Sequence, residues 1–132
     1  WDGAIGVALG GDASVATSGF WAALTMATTL KLPMLFYIED NNLGISVSGD
    51  MQTPGANIAR NLASFGNLLV RDGNGSDPHE SGHLLTECVE HVRSGAGPAL
   101  VRLTVPRLSS HSGPDNQKGA VFALVRRLST CY

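Results

Sequence analysis

The sequence predicts an α/β fold: a small, mainly parallel sheet in a three-layer βαβ arrangement. Three observations lead there. Short apolar runs end abruptly in polar or glycine-rich clusters, segments of helical period separate those runs, and proline and glycine sit at the joins. At 132 residues and 43% hydrophobic content the chain can bury one core and is too short for two ordinary domains.

Ala4 to Leu9, with Ile5, Val7 and Leu9, reads as a buried strand that breaks at Gly10-Gly11. From Gly19 to Leu32 the residues Phe20, Ala23, Leu24, Ala27 and Leu30 recur at helical spacing, with Trp21 among them as a packing residue, and Pro33 ends the segment. Met34 to Ile38 is apolar throughout, as expected of a parallel strand covered on both faces, and Glu39-Asp40-Asn41-Asn42 stops it. Asn57 to Phe65 reads as a helix, Asn67 to Val70 as a short strand and Asp72-Gly73-Asn74-Gly75 as a turn.

The strongest helix signal follows. Asp77 is placed as an N-cap with Pro78 at the first helical position and Glu80 at the third, and Leu84, Leu85, Cys88, Val89 and Val92 form the apolar face up to Gly95. Pro98 to Val105 is another buried strand, and Pro106 opens a loop rich in Ser and Gly. In parallel sheets built from βαβ units, ligands collect at the carboxyl ends of the strands. The clusters at Gly11-Asp12, Asp40-Asn41 and Arg107 to Asp115 all follow predicted strands, so they are expected along one sheet edge.

Charge and composition exclude several classes. Nine Lys+Arg against eleven Asp+Glu give a net charge of -2, and the scattered basic residues form no nucleic-acid footprint. Cys88 and Cys131 have no CxxC spacing and read as reduced thiols of a cytoplasmic protein. No run approaches the length needed to span a bilayer, so no membrane partner is expected. The chain opens on Trp1-Asp2-Gly3 and enters a strand almost at once, which suggests that part of a longer polypeptide lies upstream.

Gly10-Gly11-Asp12-Ala13-Ser14 places small residues and one carboxylate where a strand turns toward a helix. Small side chains let backbone amides approach a phosphate, and a helix N-terminus favours negative charge. Asp12, the Asn41 side-chain oxygen and one nearby carbonyl would supply the oxygens that magnesium requires, alongside phosphate oxygens. The structural alternative is a polar turn whose Asp and Asn side chains bond their own backbone. His79, His83 and Glu87 fall at i, i+4 and i+8 of the predicted helix, and without an HExxH pattern they read as a solvated face.

A Gly-Asp turn followed about thirty residues later by an Asn-rich turn, across one helix and one strand, resembles the cofactor motif of thiamine-diphosphate enzymes. Phe20-Trp21-Ala22-Ala23-Leu24, Leu30-Lys31-Leu32-Pro33 and Ile45-Ser46-Val47 extend the likeness to the alpha part of branched-chain and related 2-oxo acid dehydrogenases, from about Gly3 to about Gln117. Anchoring on Ile45-Ser46-Val47 makes Asn41 the metal-binding Asn, with Asn42 where the family often has Gly; a register with Asn42 as ligand needs a one-residue shift. The resemblance implies thiamine diphosphate and magnesium as cofactors, with Asp12, Asn41 and the Leu43 carbonyl on the metal. It further implies Gly11, Ala13, Ser14, Ile45, Arg107 and His111 beside the cofactor, with His111 the candidate catalytic residue. Arg107-Leu108-Ser109-Ser110-His111-Ser112 with Asp115 is similar to the family's R-x-x-x-H-S-x-x-D loop.

Departures are Ala13 for a third Gly, Thr17 where Glu is common, and Leu43 where Tyr is common. Residues 1–117 are thus expected to form a truncated diphosphate domain, and 118–132 a divergent tail with the composition of a short helix. The family's aminopyrimidine is held by a beta-type domain absent from this chain, and its acyl group passes to a lipoyl-bearing acyltransferase. A cofactor-binding fragment that does not turn over alone is therefore expected. The other reading is a non-catalytic α/β domain that self-associates, and under both readings a homo-oligomer is expected.

Overall fold

A computed structural model of the chain describes residues 3–111. Ser112, Asp115, Gln117, Cys131 and the expected 118–132 tail lie outside the described residues. Among those described, four strands form one wholly parallel sheet: β1 (Gly6–Gly11), β2 (Met34–Asp40), β5 (Leu69–Asn74) and β6 (Ala99–Thr104), in the order β1-β2-β6-β5. Helix α1 (Ser18–Leu30) connects β1 to β2, and α3 (Pro78–Arg93) connects β5 to β6.

The β1-to-β2 step and the β5-to-β6 step run in opposite directions across the sheet. With a common crossover hand, the two helices must then lie on opposite faces. They do. Leu24 and Ala27 of α1 pack with Phe36, Ile38 and Leu100, joined by Ile58, Ala59 and Leu62 from the segment around the short helix α2 (Ile58–Asn61). Cys88 and Val92 of α3 pack with Leu35, Ala99, Val101 and Leu103. Strand side chains alternate faces, so β2 and β6 are apolar on both sides and sit at the centre. The three-layer α/β expectation holds, and the winding reverses between β2 and β6, where open α/β sheets place their ligand crevice.

Several local expectations are corrected. Asp72-Gly73-Asn74 is the carboxyl half of β5 rather than a turn, because it pairs with Arg102, Leu103 and Thr104 of β6. A side chain at Gly73 would collide with Leu84 and Glu80, so the glycine serves close packing of α3 on the sheet. The second helix stops at Asn61: Leu62 leaves helical geometry and the left-handed Asn67 (φ 58°) turns the chain into β5. The first strand is an edge whose Val7 and Leu9 are exposed (51% and 77%) rather than buried, since α3 packs over β5, β6 and β2 and leaves these two β1 side chains uncovered. On α1, Leu30 (62%) and Ala23 point outward, and Trp21 meets Phe20 edge to face while staying 40% exposed.

The helix over Pro78–Arg93 follows its sequence signals. Asp77 Oδ1 accepts the amides of His79 and Glu80 at 2.9 and 3.2 Å, and Leu84, Leu85 and Val89 pack beside the core pair. An unanticipated hairpin, β3 (Leu43–Gly44) with β4 (Val47–Ser48), follows β2. No described helix is long and apolar enough to cross a membrane.

Candidate cofactor and metal site

Gly11 ends β1, and the chain turns through a 3-10 segment, Ser14–Ala16, before α1 begins. Ser14 Oγ donates to the Gly11 carbonyl at 2.6 Å and fixes the turn. The helix starts at Ser18, one residue before the expected Gly19. Thr17, where the family often has Glu, is its N-cap: Thr17 Oγ1 accepts the Phe20 amide at 3.3 Å.

Asp12 is buried, only 8% exposed, and its Oδ2 has no hydrogen-bond partner. Burial raises the Asp12 carboxyl above its ordinary value, and the Asp40 charge raises it further. The amides of Asp12, Ala13 and Leu43 pull the other way. That Leu43 contributes places the loop after β2 against the turn after β1, so the Asp12 and Asn41–Leu43 clusters do meet at one sheet edge. Beside Asp12 lies a cavity of about 10 Å³, lined also by Val15, Asp40, Gly49 and Thr53. Its volume is close to that of one small guest such as a water molecule.

Asn41 Oδ1 accepts the Leu43 amide at 3.0 Å, and Asp40 Oδ1 accepts the Asn42 amide at 2.8 Å. Both side chains therefore bond their own backbone, as the structural alternative anticipated. An amide oxygen has a second lone pair, so Asn41 retains capacity for a cation. Asn42 is left-handed (φ 62°), a conformation that Gly adopts freely and Asn tolerates, which accounts for Asn at a position where the family often has Gly. Ile45 is left-handed too (φ 60°), costly for a β-branched residue. Its carbonyl accepts a short hydrogen bond from Arg107 Nη1, tying the loop after β6 to the hairpin. Arg107 Nε also donates to the Ser109 carbonyl at 3.2 Å, and His111 lies exposed on the same loop.

Sequence reasoning missed the polar network beside this site. Asp40, Arg102 and Asp72 share the α1 face of the sheet, because each continues the alternation of Ile38, Leu100 and Val70. Arg102 Nε donates to Asp40 Oδ2 at 2.6 Å, and its Nη1 donates to Asp72 Oδ1 at 2.7 Å and to Thr104 Oγ1 at 3.2 Å. Asn57 Nδ2 donates to Asp72 Oδ2 at 2.9 Å. The available signal was a lone Arg inside an apolar strand. A polar groove of about 570 Å³ over β5 and β6 shares Asn57, Asp72 and Arg102, and none of the sequence-predicted ligands line it.

The donor set Asp12 Oδ2, Asn41 Oδ1 and the Leu43 carbonyl is all oxygen, which suits a hard cation such as magnesium. The buried, unpartnered Asp12 Oδ2 is the feature that fits such an ion; Asp12 lines the small cavity, and Asn41 and Leu43 stand outside its lining. On α3, Glu87 is engaged by Arg71, which donates from Nε at 2.7 Å and through a shorter contact from Nη2, while His79 and His83 are exposed. Among the described residues no group of three or more His, Cys, Asp or Glu side chains is gathered to hold a metal.

Comparison with known proteins places the chain in a family. The family model for the dehydrogenase E1 component matches residues 2–119. The chain is 34% identical over 106 residues to a 2-oxoisovalerate dehydrogenase subunit alpha of Bacillus subtilis, covering 80% of this chain and 32% of that protein. It is 30% identical over 111 residues to a 3-methyl-2-oxobutanoate dehydrogenase subunit alpha of Mycobacterium tuberculosis, covering 83% and 30%. A pyruvate dehydrogenase E1 component subunit alpha of Zymomonas mobilis is 31% identical over 115 residues, covering 86% and 32%. The chain thus spans about a third of the length of these relatives. It belongs to the dehydrogenase E1 component family, and its relatives are alpha subunits of 2-oxo acid dehydrogenases.

Proposed function

We propose that this chain is the part of a 2-oxo acid dehydrogenase alpha component that anchors the magnesium and diphosphate of thiamine diphosphate. The observation that carries the reading is the buried, unpartnered Asp12 Oδ2, set against the loop that presents Asn41 and Leu43. Asp12 Oδ2, Asn41 Oδ1 and the Leu43 carbonyl would hold the metal, and the small residues Gly11, Ala13 and Ser14 leave backbone amides approachable by the diphosphate. Arg107, held by the Ile45 carbonyl, offsets diphosphate charge. Bound thiamine diphosphate supplies the electron sink for decarboxylation of a 2-oxo acid. His111 is the group in this chain that would hold or pass a proton, through its imidazole nitrogens, on the loop fixed by Arg107. Turnover needs a beta-type chain to hold the aminopyrimidine and a lipoyl-bearing acyltransferase to accept the acyl group, and the compartment is cytoplasmic.

Calorimetry tests this directly. The chain should bind thiamine diphosphate only with Mg²⁺ present, and Asp12→Ala should abolish binding; no heat in the wild type, or unchanged binding in the variant, refutes the reading. A second reading, self-association, draws on exposed apolar residues: Val7 and Leu9 on β1, and Trp21, Met26 and Leu30 on α1. Sedimentation should give a homo-oligomer, and a clean monomer would contradict it.

A further inference from the structure

Asp12 and Asp40 line the same small cavity, yet their oxygens are used differently. Asp12 keeps Oδ2 without a partner, whereas both Asp40 oxygens are occupied, Oδ1 by the Asn42 amide and Oδ2 by Arg102 Nε. The Arg102 side chain is 11% exposed, and its other arm is held by Asp72, itself fixed by Asn57. A guanidinium presents its donors in a rigid fork, so a strand arginine clamped at both ends cannot swing away without leaving the buried Asp40 without its counter-charge.

Two buried carboxylates on one cavity would both attract a divalent cation, and their combined charge would oppose an anionic diphosphate. We propose that Arg102 is a positioning residue that withholds Asp40 from the cation, so that Asp12 alone supplies the metal's carboxylate and the site keeps a charge balance that admits a diphosphate. The inference rests on the cofactor reading above. Arg102 acts through Asp40, and the Asp40–Asn42 hydrogen bond carries its influence into the Asn41 turn.

Titration calorimetry of the full chain with Mg²⁺ alone, and with thiamine diphosphate at saturating Mg²⁺, tests it on Arg102→Met, Arg102→Lys and the double variant Arg102→Met/Asp40→Asn. Losing a group that supports a metal ligand typically costs about 10–100-fold in affinity. Arg102→Met should weaken thiamine diphosphate about tenfold or more while binding Mg²⁺ alone at least as tightly as the wild type, because Asp40 is released to the ion. Arg102→Lys, which keeps the charge, should bind thiamine diphosphate better than Arg102→Met. The double variant removes both charges and should return to within about threefold of the wild type, the coupling expected of residues acting as a pair. A purely structural arginine would lower both affinities together and would not be rescued by Asp40→Asn. Either of those results, or an unchanged thiamine diphosphate affinity in Arg102→Met, overturns the proposal while leaving the cofactor reading intact. A wild-type chain that binds neither ligand overturns both.

Discussion

Replacing Asp12 with Asn should stabilise the cofactor-free chain while removing its response to cofactor. Burial first, and the Asp40 charge second, raise the Asp12 carboxyl above 3.8. The folded chain therefore binds this proton more tightly than the unfolded chain does. The stability that Asp12 contributes is complete below pH 3.8 and is lost as pH rises through the raised folded value, so at pH 7 the buried charge is a net cost. The introduced amide keeps an oxygen for the Ala13 and Leu43 N–H groups and removes the buried charge that Asp40 repels. A buried group without a partner costs about 1–3 kcal/mol, and recovering about 1 kcal/mol of it corresponds to a rise of about 3–5 °C in melting temperature for a domain of this size.

Differential scanning calorimetry at pH 7 without magnesium should give that rise, and the gap between Asp12→Asn and wild type should close as pH falls toward 4. Thiamine diphosphate and Mg²⁺ at about 100 times the dissociation constant should then add about 2.7 kcal/mol to the wild type and nothing to the variant, reversing their order. A lower melting temperature for Asp12→Asn at pH 7 without magnesium would refute the argument, because it would mean that the carboxylate is satisfied in the free chain.

Two further outcomes follow from the packing. Burial in an apolar layer pushes the Cys88 thiol up to about 11, so in a Cys131→Ser background a thiol reagent at pH 8 should label Cys88 only after denaturant is added, and stoichiometric labelling of the native chain would contradict its placement on the sheet-facing side of α3. Gly73→Ala should cost about 1–3 kcal/mol in denaturant titrations, since the new methyl meets the side-chain ends of Leu84 and Glu80 from α3; a cost under about 0.5 kcal/mol would show that those ends swing aside to admit it.

The helix over Pro78–Arg93 and the strands β2 and β6 were legible because their signals are local: an N-cap, a proline and a periodicity each act within a few residues. Asp72-Gly73-Asn74 was misread for the opposite reason. Its composition favours a turn, and only pairing with β6 makes it a strand. Exposure of Val7, Leu9 and Leu30 was equally hidden, since an apolar residue carries no mark of whether a layer covers it.

At the site, residue types and spacing pointed to the Gly11–Ser14 and Asn41 turns as candidates, because oxygen donors and small residues after strands are visible along the chain, while the roles expected of Arg107 and His111 came from the family resemblance. The tertiary structure decided which carboxylate oxygen stays without a hydrogen-bond partner. Asp12 and Asp40 look alike in sequence. Arg102, more than sixty residues beyond Asp40, neutralises one carboxylate, and burial strands the other. That distinction arises from parallel pairing of β2 with β6, which brings distant charges onto one face, and no local pattern encodes it.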